Sequence, residues 1–310
     1  MQLIKKWPLY IVLLLASFYM QFAQAELTIE ITEGVQSAHK IAIVPFSVPD
    51  TEKMPVNVRD IIQADLVGSG QFSALDTGSM LSKPTQADQV NYRHWAVTGQ
   101  DYLVIAEIKK EQALYKIHLD LFDVVKKQQL SVVNVSVEAG SLRMAAHHLS
   151  DAIYQKIIGV EGLFSTRIAY VTSSLKANKK MQYDLYVADY DGGNAVSIAQ
   201  SQEPIMSPAW SPNGQHLAYV SFENKVSEIF VQTLATGKRK SVAKHKGING
   251  SPAWAPNGKQ LAITLSKSGN SDIYILTLAN LSLRQLTHSW AIDTEAAWSP
   301  DGKSILFTSN

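Results

Sequence analysis

The segment SPAWSPNGQHLAYV at residues 207–220 returns as SPAWAPNGKQLAIT at 251–264 and as EAAWSPDGKSILFT at 295–308. Trp210, Trp254 and Trp298 therefore recur with a period of 44 residues. A strict period of this length requires one supersecondary unit stacked on copies of itself, because a single unit cannot bury its own apolar face. Within each unit, Ser211-Pro212-Asn213-Gly214 and its counterparts Ala255–Gly258 and Ser299–Gly302 have the chemistry of a type I turn. Serine can cap the first corner, proline presets φ, Asn or Asp tolerates the next position, and glycine accepts positive φ.

Each turn joins a short strand carrying the Trp to a longer strand such as HLAYVS. EIFVQTL or DIYILTL follows, and then RKSVA or LRQLT. Four antiparallel strands per 44 residues mark a β-propeller blade. The Trp is read as packing in the wedge between neighbouring sheets rather than as an aromatic ligand cage. The first unit starts at its second strand, RIAYVTS (167–173), continues through YDLYVADYDG and AVSIAQ, and has no Trp strand before it. The last holds only its Trp strand and SILFTSN. About three blades are present, whereas a six-bladed ring would run on to about residue 430. The expectation is a truncated form or a fragment, with an incomplete ring.

Ahead of the repeats the pattern is mixed. KIAIVPF, DYLVIAEIK, LYKIHLDLFD and QQLSVVNVSVE read as strands, as does LTIEIT near the start. VNVRDIIQADLVGSG places Val58, Ile61, Ile62 and Leu66 at helical spacing and stops at Gly68 and Gly70. SLRMAAHHLSDAIYQKIIG is a second helix, with Ser141 as N-cap and Gly159 as stop. The expected organisation is an α/β domain over 26–160, a boundary near Val160–Thr166, and propeller repeats over 167–310. Residues 1–25 read as a secretory signal. Lys5 and Lys6 precede the apolar run LYIVLLLASFYM, and Ala23-Gln24-Ala25 suits cleavage before Glu26. The apolar run is short for a bilayer span. Cleavage would take the formal charge from +1 to −1. The expected product is exported, soluble and without a membrane span. The 310 residues contain no cysteine, which excludes disulfides, thiolate metal sites, a thiol nucleophile and lipidation at the cleavage site. The near-neutral balance offers no broad basic surface for nucleic acid.

With these segments assembled, the chain resembles the TolB family of periplasmic propeller proteins in the Tol-Pal system. ELTIEITEGVQSAHKIAIVPF resembles the start of the mature family, GLFSTRIAYV its domain junction, and MSPAWSPNG, SPAWAPNGKQLAITLSKSG and TEAAWSPDG its blades. The likeness covers residues 26–310. It implies binding rather than catalysis: the lipoprotein Pal at the propeller, and the inner-membrane protein TolA at the N-terminal segment. It also implies a periplasmic location, a role in outer-membrane integrity and invagination during cell division, and exploitation by colicins and filamentous phages. No cofactor is implied.

Propeller symmetry singles out the loops entering the Trp strands, QSQEPIMSPAW, AKHKGINGSPAW and THSWAIDTEAAW, because they gather on one rim and differ from blade to blade. The Pro-Asn/Asp-Gly turns on the opposite rim are nearly identical and read as structural. The resemblance places Pal contacts at Met206, Ser207, Asn249, Gly250, Ser251, Thr294 and Glu295. It places TolA contacts at Glu26, Leu27, Thr28, Ile29, Glu30, Ile31, Thr32 and Glu33. Ile248 stands where TolB proteins often carry histidine, a departure that removes a polar contact.

No H-E-x-x-H, Walker loop or G-x-S-x-G occurs, and GSGQFS at 68–73 ends a helix rather than opening one. His147 and His148 are adjacent on a helix and so face different ways, a surface or packing pair rather than metal ligands. Lys238, Arg239, Lys240, Lys244 and Lys246 read as a solvated edge strand. No ligand spacing supports a cation near the channel. The rival readings are the propeller of a prolyl-peptidase-type hydrolase whose catalytic part is missing from the 310 residues, and a carbohydrate- or peptide-binding propeller with no Tol partner.

Overall fold

Alternation along β1 (His39–Ile43) sets up a two-sided sheet. Ile41 and Ile43 project to one face and Ala42 and Val44 to the other, all fully buried. In the computed structural model, which describes residues 38–48 and 54–310, β1 pairs in parallel with β2 (Phe72–Ala74) and β3 (Tyr102–Glu111). β3, β4 (Leu114–Asp123) and β5 (Gln128–Glu138) continue antiparallel, giving the order β2-β1-β3-β4-β5. Two helices cover the Ile41 face: α1 (Val58–Gly68) and α3 (Leu142–Ile158). The other face is closed by Trp95, fully buried on the short α2 (Tyr92–Val97).

α1 begins where the Asn57 side chain accepts from the Asp60 amide at 3.3 Å, and it buries Val58, Ile62 and Leu66 at helical spacing. α3 stops at Gly159 (φ 88°), whose N–H bonds the Gln155 carbonyl at 3.0 Å. Ser141 holds the N-cap position, but its side chain makes no capping bond, and a 3-10 turn over Ala139–Ser141 leads into the helix instead. β2 and α2 escape a reading of periodicity because three and six residues are too few to show one. The strand expected at LTIEIT lies outside the described residues.

From Arg167 the chain is all β. The first sheet is β6 (Arg167–Leu175), β7 (Met181–Asp189) and β8 (Val196–Ser201). The second is β9 (Ile205–Trp210), β10 (His216–Ser221), β11 (Glu228–Thr233) and β12 (Arg239–Ala243). The third is β13 (Asn249–Trp254), β14 (Gln260–Leu265), β15 (Asp272–Thr277) and β16 (Ser282–Gln285). β17 (Asp293–Trp298) and β18 (Ile305–Ser309) form the last. Every pairing is antiparallel in sequence order, as blades require, and the described strands close no ring.

The repeated turns form as their residues demand. Gly214, Gly258 and Gly302 take φ of 66°, 69° and 70°, and each donates to the carbonyl three residues back. Ser211 and Ser299 add a side-chain bond to the amide five residues on, which Ala255 cannot do, so backbone bonds suffice there. Each Trp bridges to the preceding blade. Trp254 Nε1 donates to the Ala209 carbonyl at 3.0 Å, and Trp298 Nε1 donates to that of Ala253 at 3.2 Å. Trp210 meets Arg167, whose guanidinium lies 5.0 Å from the ring and donates to the Gly214 carbonyl.

His39–Asn310 is one compact unit, and a polar junction ties α3 to the first sheet. Asp65 interrupts the apolar stripe of α1 and is 1% exposed. It accepts from Ser150 Oγ at 2.6 Å, His147 Nδ1 at 2.8 Å and Tyr190 OH at 2.8 Å. Burial, and then the bond to Asp65, push the Tyr190 phenol well above its usual value, so it remains a donor. Arg143 donates to Asp189 at 3.0 Å and to Asp191. Burial alone would raise the Asp191 carboxyl, but the Gly193 N–H and Arg143 outweigh it and hold it below the usual range. Asp151 accepts from the amides of Phe164 and Ser165, fixing the segment between helix and propeller.

Candidate functional site

β9, β13 and β17 all begin on one rim. The residues singled out there fall within the first three positions of these strands: Met206 and Ser207 on β9, Asn249, Gly250 and Ser251 on β13, Thr294 and Glu295 on β17. Ser207, Ser251 and Glu295 are exact repeat equivalents, and all three hold positive φ, at 52°, 46° and 55°. The ladder register shifts at each of them. An extra residue on the inner strand makes a bulge, which bends the strand and re-aims its side chains. A non-glycine residue in the left-handed region costs roughly 1–2 kcal/mol, so three equivalent instances mark a built feature of this rim. Nothing in Ser, Ser and Glu advertises that conformation in sequence.

Asn249 is buried. Its side chain accepts from the His245 amide at 2.8 Å and donates to the carbonyls of His245 and Gly247, so it holds the loop 245–249 in shape. Ser207 and Glu295 are exposed, and Gly250, Ser251 and Thr294 half-buried. Large apolar side chains stand beside them. Trp290 is 91% exposed, and Met206, Ile248 and Ile292 are exposed on the same rim. Sequence reasoning passed over Trp290, which sits in an entry loop outside the Trp series and was the available signal. Isolated exposed hydrophobics mean little on their own, and here four large ones stand on one rim.

The basic run does not form a common positive patch. β12 lies at the outer edge of its sheet as expected, but Arg239 forks onto Glu223 at 2.8 and 3.0 Å, and Lys244 pairs with buried Glu228 at 2.8 Å. Burial and nearby Lys267 hold the His245 imidazole below its usual value. Of the adjacent histidines, His148 is exposed while His147 is fully buried at the junction, which corrects the surface half of that expectation. Asp65, His147 and Asp191 offer ligand atoms within 4.8 Å of one another. Their carboxylates already receive protein donors, and Arg143 already supplies positive charge there. The segment expected to contact TolA, Glu26–Glu33, lies outside the described residues.

Residues 154–310 match the family model described as the TolB beta propeller domain, and residues 27–130 that of the TolB amino-terminal domain. The chain belongs to the TolB family. The Tol-Pal system protein TolB of Nitrosococcus oceani is 48% identical over 217 residues, covering 70% of this chain and 50% of that protein. That of Xanthomonas oryzae pv. oryzae is 42% identical over 237 residues, 76% of this chain and 54% of the relative. This TolB-family chain therefore spans about half the length of the curated relatives it matches. The crystal structure of TolB from Acinetobacter baumannii superposes with a TM-score of 0.79 at 38% identity, covering 88% of this chain and 66% of that one. Among the described residues, no helix is long and apolar enough to cross a membrane.

Proposed function

We propose that this TolB-family chain is a protein-binding component of the Tol-Pal system in the periplasm. It engages Pal through the entry rim of the propeller and TolA through Glu26–Glu33, without catalysis. By that linkage it serves outer-membrane integrity and invagination at division. The observation that carries the reading is the entry rim itself. Three inner strands bulge at equivalent left-handed residues, and Met206, Ile248, Trp290 and Ile292 are exposed beside them. Interfaces bury such aromatic and aliphatic anchors at their centre and surround them with polar groups. Ile248 contributes apolar area where a histidine would contribute a hydrogen bond, which shifts the contact toward burial.

The test is calorimetric titration of soluble Pal into protein carrying Thr294→Ala and Glu295→Ala, in a background that includes the family's remaining repeats. Loss of a desolvated charged hydrogen bond costs about 1.5–3 kcal/mol, so affinity should fall roughly ten- to a hundredfold. Unchanged affinity in a folded double variant removes these residues from the site.

A further inference from the structure

Equivalent wedges between successive sheets are filled differently. Between the first and second sheets, the Arg167 guanidinium lies over Trp210 at 5.0 Å and donates to the Gly214 carbonyl. Between the second and third, the equivalent residue is His216, HLAYV standing for RIAYV, and its ring is tilted against Trp254 at 6.3 Å. An imidazole reaches less far than a guanidinium, and here a cleft of about 420 Å3 stands open. Val231, Val242, Trp254 and Leu278 give it apolar walls, and Lys238 and Lys240 line it beside them.

Lys240 and Val242 share one face of β12, and Lys238 continues that face just before the strand begins. Arg239, between the lysines, turns to the opposite face, over Phe230 at 4.9 Å and onto Glu223. Among the described residues the ion pairs of this basic run are those of Arg239 and Lys244, and neither Lys238 nor Lys240 has one. The neighbouring sheets do not repeat the pair. The corresponding places hold Asn194 and Val196 in the first sheet, and Ser282 and Arg284 in the third. Two cations set about 7 Å apart along one strand face repel each other, and carboxylates beside them remove that cost. Lysines guard an open sheet edge by standing in solvent, a role that does not require them to border an apolar cleft. β12 is also the outermost strand of its sheet, so its outer main-chain groups pair with no further strand.

We propose that this wedge binds an extended acidic peptide segment of a partner protein. The segment adds along the free edge of β12, where its main chain supplies affinity. Side chains two apart then fall on the cleft side. Two carboxylates meet Lys238 and Lys240, and a third, aromatic or aliphatic side chain enters between Val242 and Trp254 toward Leu278. A small carboxylic acid would fill the cleft without using the edge, which is why a strand is the fitting occupant. The same lysines repel basic strands and leave neutral ones unrewarded, which makes the site selective. Asn213 and Gly258 of the repeated turns also line the cleft, so it opens on the rim opposite the entry loops and is separate from the face assigned to Pal.

The experiment is calorimetric titration of the full chain with the acetylated, amidated peptide Glu-Thr-Glu-Thr-Phe-Thr, at low and at physiological salt. The peptide should bind, and more weakly as salt rises. The Gln-Thr-Gln-Thr-Phe-Thr counterpart and free glutamate should bind about tenfold more weakly or not at all. Lys238→Ala with Lys240→Ala should lower affinity for the acidic peptide about tenfold. Lys238→Glu with Lys240→Glu should abolish it and admit Lys-Thr-Lys-Thr-Phe-Thr instead. His216→Arg rebuilds the first wedge, so replacing the peptide's Phe by Ser should weaken binding to the parent and make little difference to this variant. No binding of the acidic peptide, equal binding of the Gln peptide, or unchanged affinity in the folded lysine variants overturns the proposal. So does free glutamate binding as tightly as the peptide, since the strand edge would then play no part.

Discussion

Gly193 lies against the Arg143 guanidinium at the junction of α3 with the first sheet. A Cβ built there would stand 2.5 Å from Arg143 Nε and 2.6 Å from Cζ. The backbone itself accepts alanine, since the positive φ of this turn belongs to Gly192, at 83°. Gly193→Ala therefore acts through space alone, by displacing Arg143 from Asp189 and Asp191. Charge-assisted bonds contribute about 1.5–3 kcal/mol each when buried, but Arg143 and Asp191 are partly solvated and the figure must be discounted. A loss of about 2 kcal/mol remains. In urea that lowers the midpoint by roughly 0.7–1 M at a slope of about 2–3 kcal/mol/M. The decisive assay is the double-mutant cycle with Arg143→Ala. If displacement of Arg143 is the whole effect, Gly193→Ala costs less than about 0.5 kcal/mol once the guanidinium is gone. Additive losses, or an unchanged midpoint in the single variant, refute the steric argument.

Two further outcomes are open to direct measurement. The carboxyls of Glu228 and Asp191 are held below their ordinary values in the fold, so their stabilisation is complete above the usual carboxylate range, near pH 4, and is lost as pH falls through it. Denaturation titrated from pH 6 to pH 3 should show falling stability, with a shallower slope in Asp191→Asn, and a rise on acidification contradicts the sign. Deleting Glu26–Glu33 should abolish TolA binding while Pal binding survives, because alternating Leu27, Ile29 and Ile31 suit strand addition to a partner sheet, and retained TolA binding in a pull-down counts against it.

The parts of the fold that could be read from sequence are those governed by local chemistry. Pro-Asn/Asp-Gly turns specify their own geometry, so blade register followed from three tryptophans and a period. Helices α1 and α3 followed from apolar spacing and glycine stops. The junction was not legible, because Asp65, His147 and Tyr190 meet only in three dimensions. A signal did exist: Asp65 falls on the apolar stripe of α1, and His147 and Ser150 fall on the buried face of α3. The bulges at Ser207, Ser251 and Glu295 left no trace because they are imposed by the sheet, not by residue type. At the rim, symmetry located the entry loops, but the exposure of Trp290 is a tertiary property.

The most direct test of the account is site-specific photocrosslinking in the envelope, with the photoreactive residue placed at Ile248 or Trp290 on the entry rim and, as a control, at Asn257 on the opposite turn. The account predicts a Pal adduct from the two rim positions and none from Asn257. Crosslinking to Pal from Asn257 with none from Ile248 or Trp290 would contradict the assignment of the rim as the binding face.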